Sequence, residues 1–361
     1  TSPLARGASY LLIYLTAFQP LHPAFAAGIT AANGNTQVVI KPGNVPVVNI
    51  ATPNGAGISH NTYKDFNVGP QGAVLNNATH GGKTQLGVEI YSAQGNTYLK
   101  GKPAELIINE VIGGSRSELQ GKLEVFGSKA NVMIANPNGI TCNGCGFINA
   151  PGVTLTTGKP QLNADGSVAG YQVERGVVRI EGGGLNGDTR HDTEYVDILA
   201  RAVEVNAGVW AKEGVSVVAG RNRVSADGKT AAPLSDDGSA RPELAIDMGQ
   251  MGGMYSGSIR MIGTEAGVGV RNQGGQVRAG KTLTVSSEGK LSWRSDAPTQ
   301  AGGDIQLAAK GDIETHGKVY SGGQLAVQSR EGMLTQSSTL AAAGNVHLNA
   351  ARGIQSSGHL L

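Results

Sequence analysis

The chain has 361 residues, of which 55 are Gly and only 4% are aromatic. Glycine is thus about twice as frequent as in an ordinary soluble domain, which excludes a thick spherical core built on large rings. Its 14 prolines are too few for collagen, its many Val/Ile/Leu alternations exclude simple disorder, and a formal charge of +2 without a long basic run gives no support for a nucleic-acid partner.

The first 26 residues read as an export label. Tyr10 to Phe18 is an apolar run, shorter than the ~20 residues needed to cross a bilayer. Arg6 precedes it and Pro20 and Pro23 follow it. Ala24-Phe25-Ala26 supplies a small-x-small pattern, which predicts cleavage between Ala26 and Ala27. A chain that begins at Thr1 and stops at Leu361 inside a repeat is expected to be a piece of a longer exported protein.

Beyond this label, short β-rich runs alternate with Gly, Pro and Asn turns: Val38 to Ile40, Val45 to Ile50, Val132 to Ile134, Val153 to Leu155, Val177 to Ile180, Val203 to Val205 and Val215 to Val218. Tyr195, Ile198, Leu199, Ala202 and Val203 also fit helical spacing. The alternation of Val203, Val205 and Val209 around Gly208 favours strand. Ser225 to Pro242, polar and broken by Gly228, Pro233 and Gly238, predicts an excursion from the main body.

Several stretches imitate chemical motifs. Cys142 and Cys145 form C-x-x-C, but no His lies near enough in sequence to complete a zinc site. No thioredoxin-like βαβ setting surrounds the pair either, so a loop disulfide is expected in an oxidising compartment. Gly182, Gly184 and Gly187 satisfy G-x-G-x-x-G, but the polar Asp188 to Thr193 is a poor helix start and a glycine turn is expected. Asp188, Asp192, Glu194 and Asp197, interleaved with Arg190 and His191, form the one acid-dense cluster and read as a solvated loop. The segment from Gly275 to Thr282 matches the P-loop pattern, yet Leu283 and Val285 begin a strand where a helix should start, so a corner is expected there. The seven histidines make no metal-binding pair, and no cofactor is indicated.

From Leu283 onward the apolar positions repeat. Leu283, Ile305, Leu325 and Val346 are spaced by 22, 20 and 21 residues, and Val285, Leu307, Val327 and Leu348 keep the same intervals. Leu291, Ile313, Met333 and Ile354 form a second series, and Val319, Leu340 and Leu360 a third. A unit of ~21 residues with up to three short strands cannot bury its inner face alone, whereas stacking on copies of itself makes a continuous apolar column. This is the pattern of a parallel β-helix, all-β, with glycine and asparagine at its corners. At ~4.8 Å between stacked strands, the 335 residues after the label would make about sixteen coils and a rod on the order of 80 Å long.

Ile107-Ile108-Asn109-Glu110-Val111, Ser117 to Gly121, Glu124 to Gly127, and above all Ala135-Asn136-Pro137-Asn138-Gly139-Ile140 running into Cys142-Asn143-Gly144-Cys145 closely resemble the secretion domain of two-partner-secretion exoproteins. That family includes filamentous haemagglutinin adhesins, haemolysins and contact-dependent growth-inhibition toxins. The resemblance runs from about Gly28 to Val270 and implies a right-handed β-helix with an amino-terminal cap and extra-helical hairpins. It also implies recognition in the periplasm by the POTRA domains of a dedicated outer-membrane β-barrel transporter. Asn136, Pro137, Asn138, Gly139 and Ile140, with Asn109 and Glu110, would carry the secretion motif. Asn136 to Gly139 is equally a tight-turn sequence, and a structural corner and a transporter determinant both fit it. A second family element, of Asn-Pro-Asn-Leu type, is replaced here by Leu75-Asn76-Asn77-Ala78-Thr79.

The expected organisation is a label at 1–26, a secretion domain at 27–275 and the first repeats of a longer rod at 276–361. No catalysis is expected in this part. The whole protein is expected to be a secreted or surface-bound adhesin or growth-inhibition toxin of a Gram-negative bacterium, meeting a host or bacterial receptor through regions beyond this chain. The alternatives are a haemolysin of the same family or a β-helix polysaccharide-degrading enzyme.

Overall fold

Each apolar row in the sequence needs a partner row one coil away, and the structure supplies it. In the computed structural model, which describes residues 28–189 and 192–361, the chain winds as a parallel β-solenoid. Its long sheet holds twelve strands joined in chain order, from Ile29–Ala31, Ile58–Phe66 and Leu106–Val111 to Val346–Ala350. Only the first pair is antiparallel. Most of the other strands belong to a second, eighteen-stranded sheet. Among the described residues the sole helical segment is the 3-10 turn Thr97–Leu99. Ala26 and Ala27, the expected cleavage site, lie outside the described residues, as do Arg190 and His191.

One row shows how the core is built. Ile107, Val132, Val153, Val196, Val215, Ile259, Leu283, Ile305 and Leu325 occupy the same place in successive coils. All are buried and belong to one cluster that runs from Ile29 to Leu340. β-branched and leucine side chains suit this narrow column because each covers the one before it.

The carboxyl-terminal rows pair as the period implies, except one. Leu291 faces Ile313, but Ile313 faces Leu334 rather than Met333. Leu334 is fully buried while Met333 is partly exposed. A slip of one residue would turn every side chain of that strand to the wrong face, so burial of Leu334 decides the register. The segment Tyr195 to Val205 is strand, divided into Tyr195–Ala200 and Ala202–Val205.

The long ladder has fewer rungs than the sixteen coils that length alone implies, because chain is spent on hairpins. Gln37–Lys41 and Val45–Asn49 form an antiparallel pair near the amino end. Lys159–Leu162, Val168–Val173, Asn222–Ser225 and Ala231–Pro233 make an accessory antiparallel sheet. Its Tyr171, Val173 and Val224 pack on Ile108, Met133 and Leu199 from the outer face of the long sheet. Ser225 to Pro242 therefore leaves the rod as expected, yet it stays tethered. Arg201 pairs with Glu265 at 2.9 Å and donates to Ser239, and Arg221 pairs with Asp237 at 3.1 Å.

The corners explain the glycine content. A Cβ on Gly302 would sit 2.1 Å from the Gly280 carbonyl oxygen, and one on Gly322 would sit 2.1 Å from that of Gly302. Successive corners can stack only without side chains. Gly280 to Thr282 belongs to this column, between the strands Gln276–Ala279 and Leu283–Ser287, so no helix N-terminus is present there to hold a phosphate.

Candidate functional site

Strand Asn131–Ala135 ends and strand Ile140–Ile148 begins around Asn136 to Gly139. The turn closes with the Gly139 N–H donating to the Asn136 carbonyl at 3.1 Å. The fully buried Asn136 amide serves two coils at once. Its Nδ2 donates to the Ser115 carbonyl at 2.9 Å and to Ser117 Oγ at 3.0 Å, while its Oδ1 accepts the Asn138 backbone N–H at 2.9 Å. Asn138 Nδ2 donates to the Gly113 carbonyl at 2.7 Å. Backbone carbonyls of the preceding corner thus find their donors in this one. Gly139 has φ +114, and a Cβ there would lie 2.5 Å from the Arg116 guanidinium. Ile140 is fully buried in the column, whereas Pro137 and Asn138 are partly exposed.

Asn109 and Glu110 lie one coil earlier, opposite Ile134 and Ala135. Asn109 is fully buried, accepts from the Tyr63 hydroxyl at 2.9 Å and donates to the Met133 carbonyl at 3.1 Å. Burial pushes the Tyr63 phenol well up, so it remains a donor. Glu110 meets His60 on the preceding coil at 2.7 Å. The sequence-expected residues thus fall on adjacent coils at one stretch of the rod, and most of their polar atoms are engaged in holding coils together.

The C-x-x-C pair sits a few residues on. Cys142 and Cys145 are both buried and joined in a disulfide, with Asn143 and Gly144 exposed between them where the pairing with Val177–Leu185 shifts register. The crosslink pins this bulge. Gly182 and Gly184, both at positive φ, lie within strand Val177–Leu185 against the bulge, which leaves no dinucleotide-type helix start.

The acidic cluster is divided. Asp192 and Glu194 are exposed, while Asp197 lies on the outer face of the long sheet beneath the 226–229 turn, with Gly228 close above its carboxylate. Burial raises its pKa to about 6, against the opposing pull of Lys229 and Arg260. A carboxyl group whose folded pKa lies above its unfolded value favours folding at acid pH, and that contribution is lost as pH rises through about 6. Asp197→Asn should therefore raise stability at pH 7–8 by about 2 kcal/mol and leave it unchanged near pH 4. Chemical denaturation at the two pH values checks this, and an equal gain at both would refute the burial argument.

The model of the TPS secretion domain matches residues 26–293, most of the chain. The chain belongs to the TPS secretion domain family. Beyond that match, this TPS domain is 48% identical over 345 residues to a "16S rRNA endonuclease CdiA" of Enterobacter cloacae subsp. cloacae, which covers 95% of the chain and 10% of that protein. It is 49% identical to a "tRNA nuclease CdiA" of Escherichia coli (strain NC101), with 92% of the chain and 10% of the relative covered. The chain therefore spans about a tenth of the length of these curated relatives. Among solved structures, the filamentous hemagglutinin secretion domain superposes with a TM-score of 0.67 at 34% identity, covering 92% of this chain and 100% of that one.

The TPS domain uses more corner asparagines than sequence reading singled out. Asn77 donates to the carbonyls of Ala104 and Ser128 and accepts from the Ala104 N–H. Asn96 donates to those of Ile50 and Asn76, and Asn149 to those of Val125 and Gly127. Leu75 to Thr79, the place of the missing second family element, thus contributes an inter-coil bridge. For Asn77 and Asn149 the signal was an Asn at or beyond the end of an apolar run, the same grammar as Asn136, whereas Asn96 follows a polar turn and carried no such signal. The disulfide adds little by comparison. It closes a loop so short that Cys142→Ser should cost at most about 2 kcal/mol and leave export intact. Thermal melting with and without reductant measures this, and complete loss of export would contradict it.

Proposed function

We propose that this secretion domain is delivered through the periplasm, after cleavage between Ala26 and Ala27, to an outer-membrane β-barrel transporter whose POTRA domains receive it. The domain itself is a targeting domain, not a catalyst. The Asn136 to Ile140 corner, supported by Asn109 and Glu110, is the determinant that export depends on. The observation that carries this reading is the bridging Asn136 amide: fully buried once folded, it acts by setting the corner on which the next coil stacks.

A chain of this kind can leave a pore unfolded and fold outside, each coil covering the face of the last. Beyond a boundary near residue 275 the chain continues as rod, and the whole protein is a surface-exposed growth-inhibition toxin or adhesin. Two relatives are named as nucleases, and a corresponding activity would reside outside the tenth that this chain represents. Co-expression with the transporter, comparing release of the wild-type chain and an Asn136 variant into the medium, tests the assignment.

A further inference from the structure

Gly28, Asn67 and Glu118 stand side by side at the amino end of the rod. The Gly28 carbonyl accepts the Asn67 N–H at 3.2 Å, and Asn67 Oδ1 in turn accepts the Glu118 N–H at 2.8 Å. Ile29 lies opposite Phe66 in antiparallel register, so this ladder, carried back past Gly28, runs toward Val68. A pocket of about 350 Å³ opens there, walled by Pro46, Val68 and Pro70, with Gly28 in its lining.

The pocket carries a single charge. Glu118 is the sole ionisable side chain in its lining, and among the described residues it enters no ion pair. Arg116 feels the Glu118 charge but turns its guanidinium to the Thr141 hydroxyl at 2.8 Å, one coil further from Gly28. A partly exposed carboxylate beside apolar walls suits a small cation on a short aliphatic body. Cleavage between Ala26 and Ala27 creates such a group, an α-ammonium one residue from Gly28. A residue spans at most ~3.6 Å, so this charge arises within reach of a pocket that Gly28 already lines.

We propose that the α-ammonium of Ala27, freed when the leader is removed, docks in this pocket on the Glu118 carboxylate and so completes the amino-terminal cap. The inference rests on the cleavage site proposed above. Before cleavage, residue 27 offers an uncharged amide in place of the amine, and the carboxylate has nothing to pair with. Removal of the leader therefore does more than free the chain. It makes the charge that fastens the first strand, Ile29–Ala31, to the coils behind it.

Chains 27–361 and 24–361, each released from a removable fusion with its own first residue and each with and without Glu118→Gln, test the proposal. Glu118→Gln should lower the melting temperature of 27–361 by about 2 °C and leave that of 24–361 unchanged. Cyanate attacks only the unprotonated amine. It should carbamylate the Ala27 amine at pH 7 about fivefold more slowly in 27–361 than in its Glu118→Gln variant, because the carboxylate raises the amine pKa. Equal melting losses in both lengths would show that Glu118 serves the fold without the amine and would overturn the pairing. An unchanged melting temperature of 27–361, or equal carbamylation rates, would overturn it too. Peptide mapping of the exported protein keeps the two readings apart. A first residue other than Ala27 refutes the cleavage site and with it the role in maturation, whereas a refuted pairing in 27–361 leaves the cleavage site untouched.

Discussion

Asn136→Ala is expected to abolish release into the medium and to lower the stability of the purified chain by about 2–3 kcal/mol. The buried amide satisfies the Ser115 carbonyl and Ser117 hydroxyl of the preceding corner and the Asn138 N–H of its own. An alanine leaves the buried Ser117 hydroxyl without its donor, and an unsatisfied buried group carries the full desolvation penalty, while the Ser115 carbonyl and the Asn138 N–H, nearer the surface, lose the contact that shapes the corner. Asn138→Ala, at a partly exposed site, should produce the smaller loss of stability. Export assays with the transporter present, paired with denaturation curves, check both. Undiminished export of Asn136→Ala would remove the corner's role. Failed export with wild-type stability would show instead that the transporter reads the motif directly.

The second large effect should be local rather than global. Leu307→Asp places a carboxylate in the middle of the apolar column, between Val285 and Val327 on the neighbouring coils, where Leu307 is fully buried. Burying an unpaired charge there costs several kcal/mol. In a solenoid each coil contacts mainly its neighbours, so the damage should spread toward the carboxyl end and spare the coils before it. Limited proteolysis is expected to leave a resistant fragment ending near residue 290, and export should still begin, because the corner at Asn136 is untouched. Wholesale unfolding would refute the nearest-neighbour account of stability.

The strands from Leu283 onward were legible because burial repeats at nearly constant spacing, so that Leu283, Ile305, Leu325 and Val346 align without knowledge of the coordinates. Met333 misled because two adjacent apolar residues offered two registers, and only the pleat chose Leu334. The accessory sheet was not legible. Lys159–Leu162 and Ala231–Pro233 are far apart in sequence and meet through Val168–Val173 and Asn222–Ser225, a long-range pairing that no local period announces.

At the candidate site, the residue types at 136–140 and the C-x-x-C pair stood out by spacing. The direction of each amide did not. A turn-forming Asn looks the same in sequence whether it faces solvent or bridges two coils, and only the stacked backbone shows that Asn136 and Asn77 bridge. Asp197 likewise read as part of a solvated acidic loop, because the turn that covers it comes from residues some thirty positions later in the chain.

The antiparallel pairing of Ile29–Ala31 with Ile58–Phe66 gives the molecule a polarity. A purely parallel ladder would present the same kind of docking surface at both termini, and two copies could then join head to tail and propagate as a fibre. Reversing one strand at the start breaks that match, since a strand added there in the direction of the ladder would have to pair antiparallel instead of continuing the parallel pattern. The two ends of the ladder therefore differ in kind, and a second copy meeting the amino end cannot simply extend it as one more parallel coil.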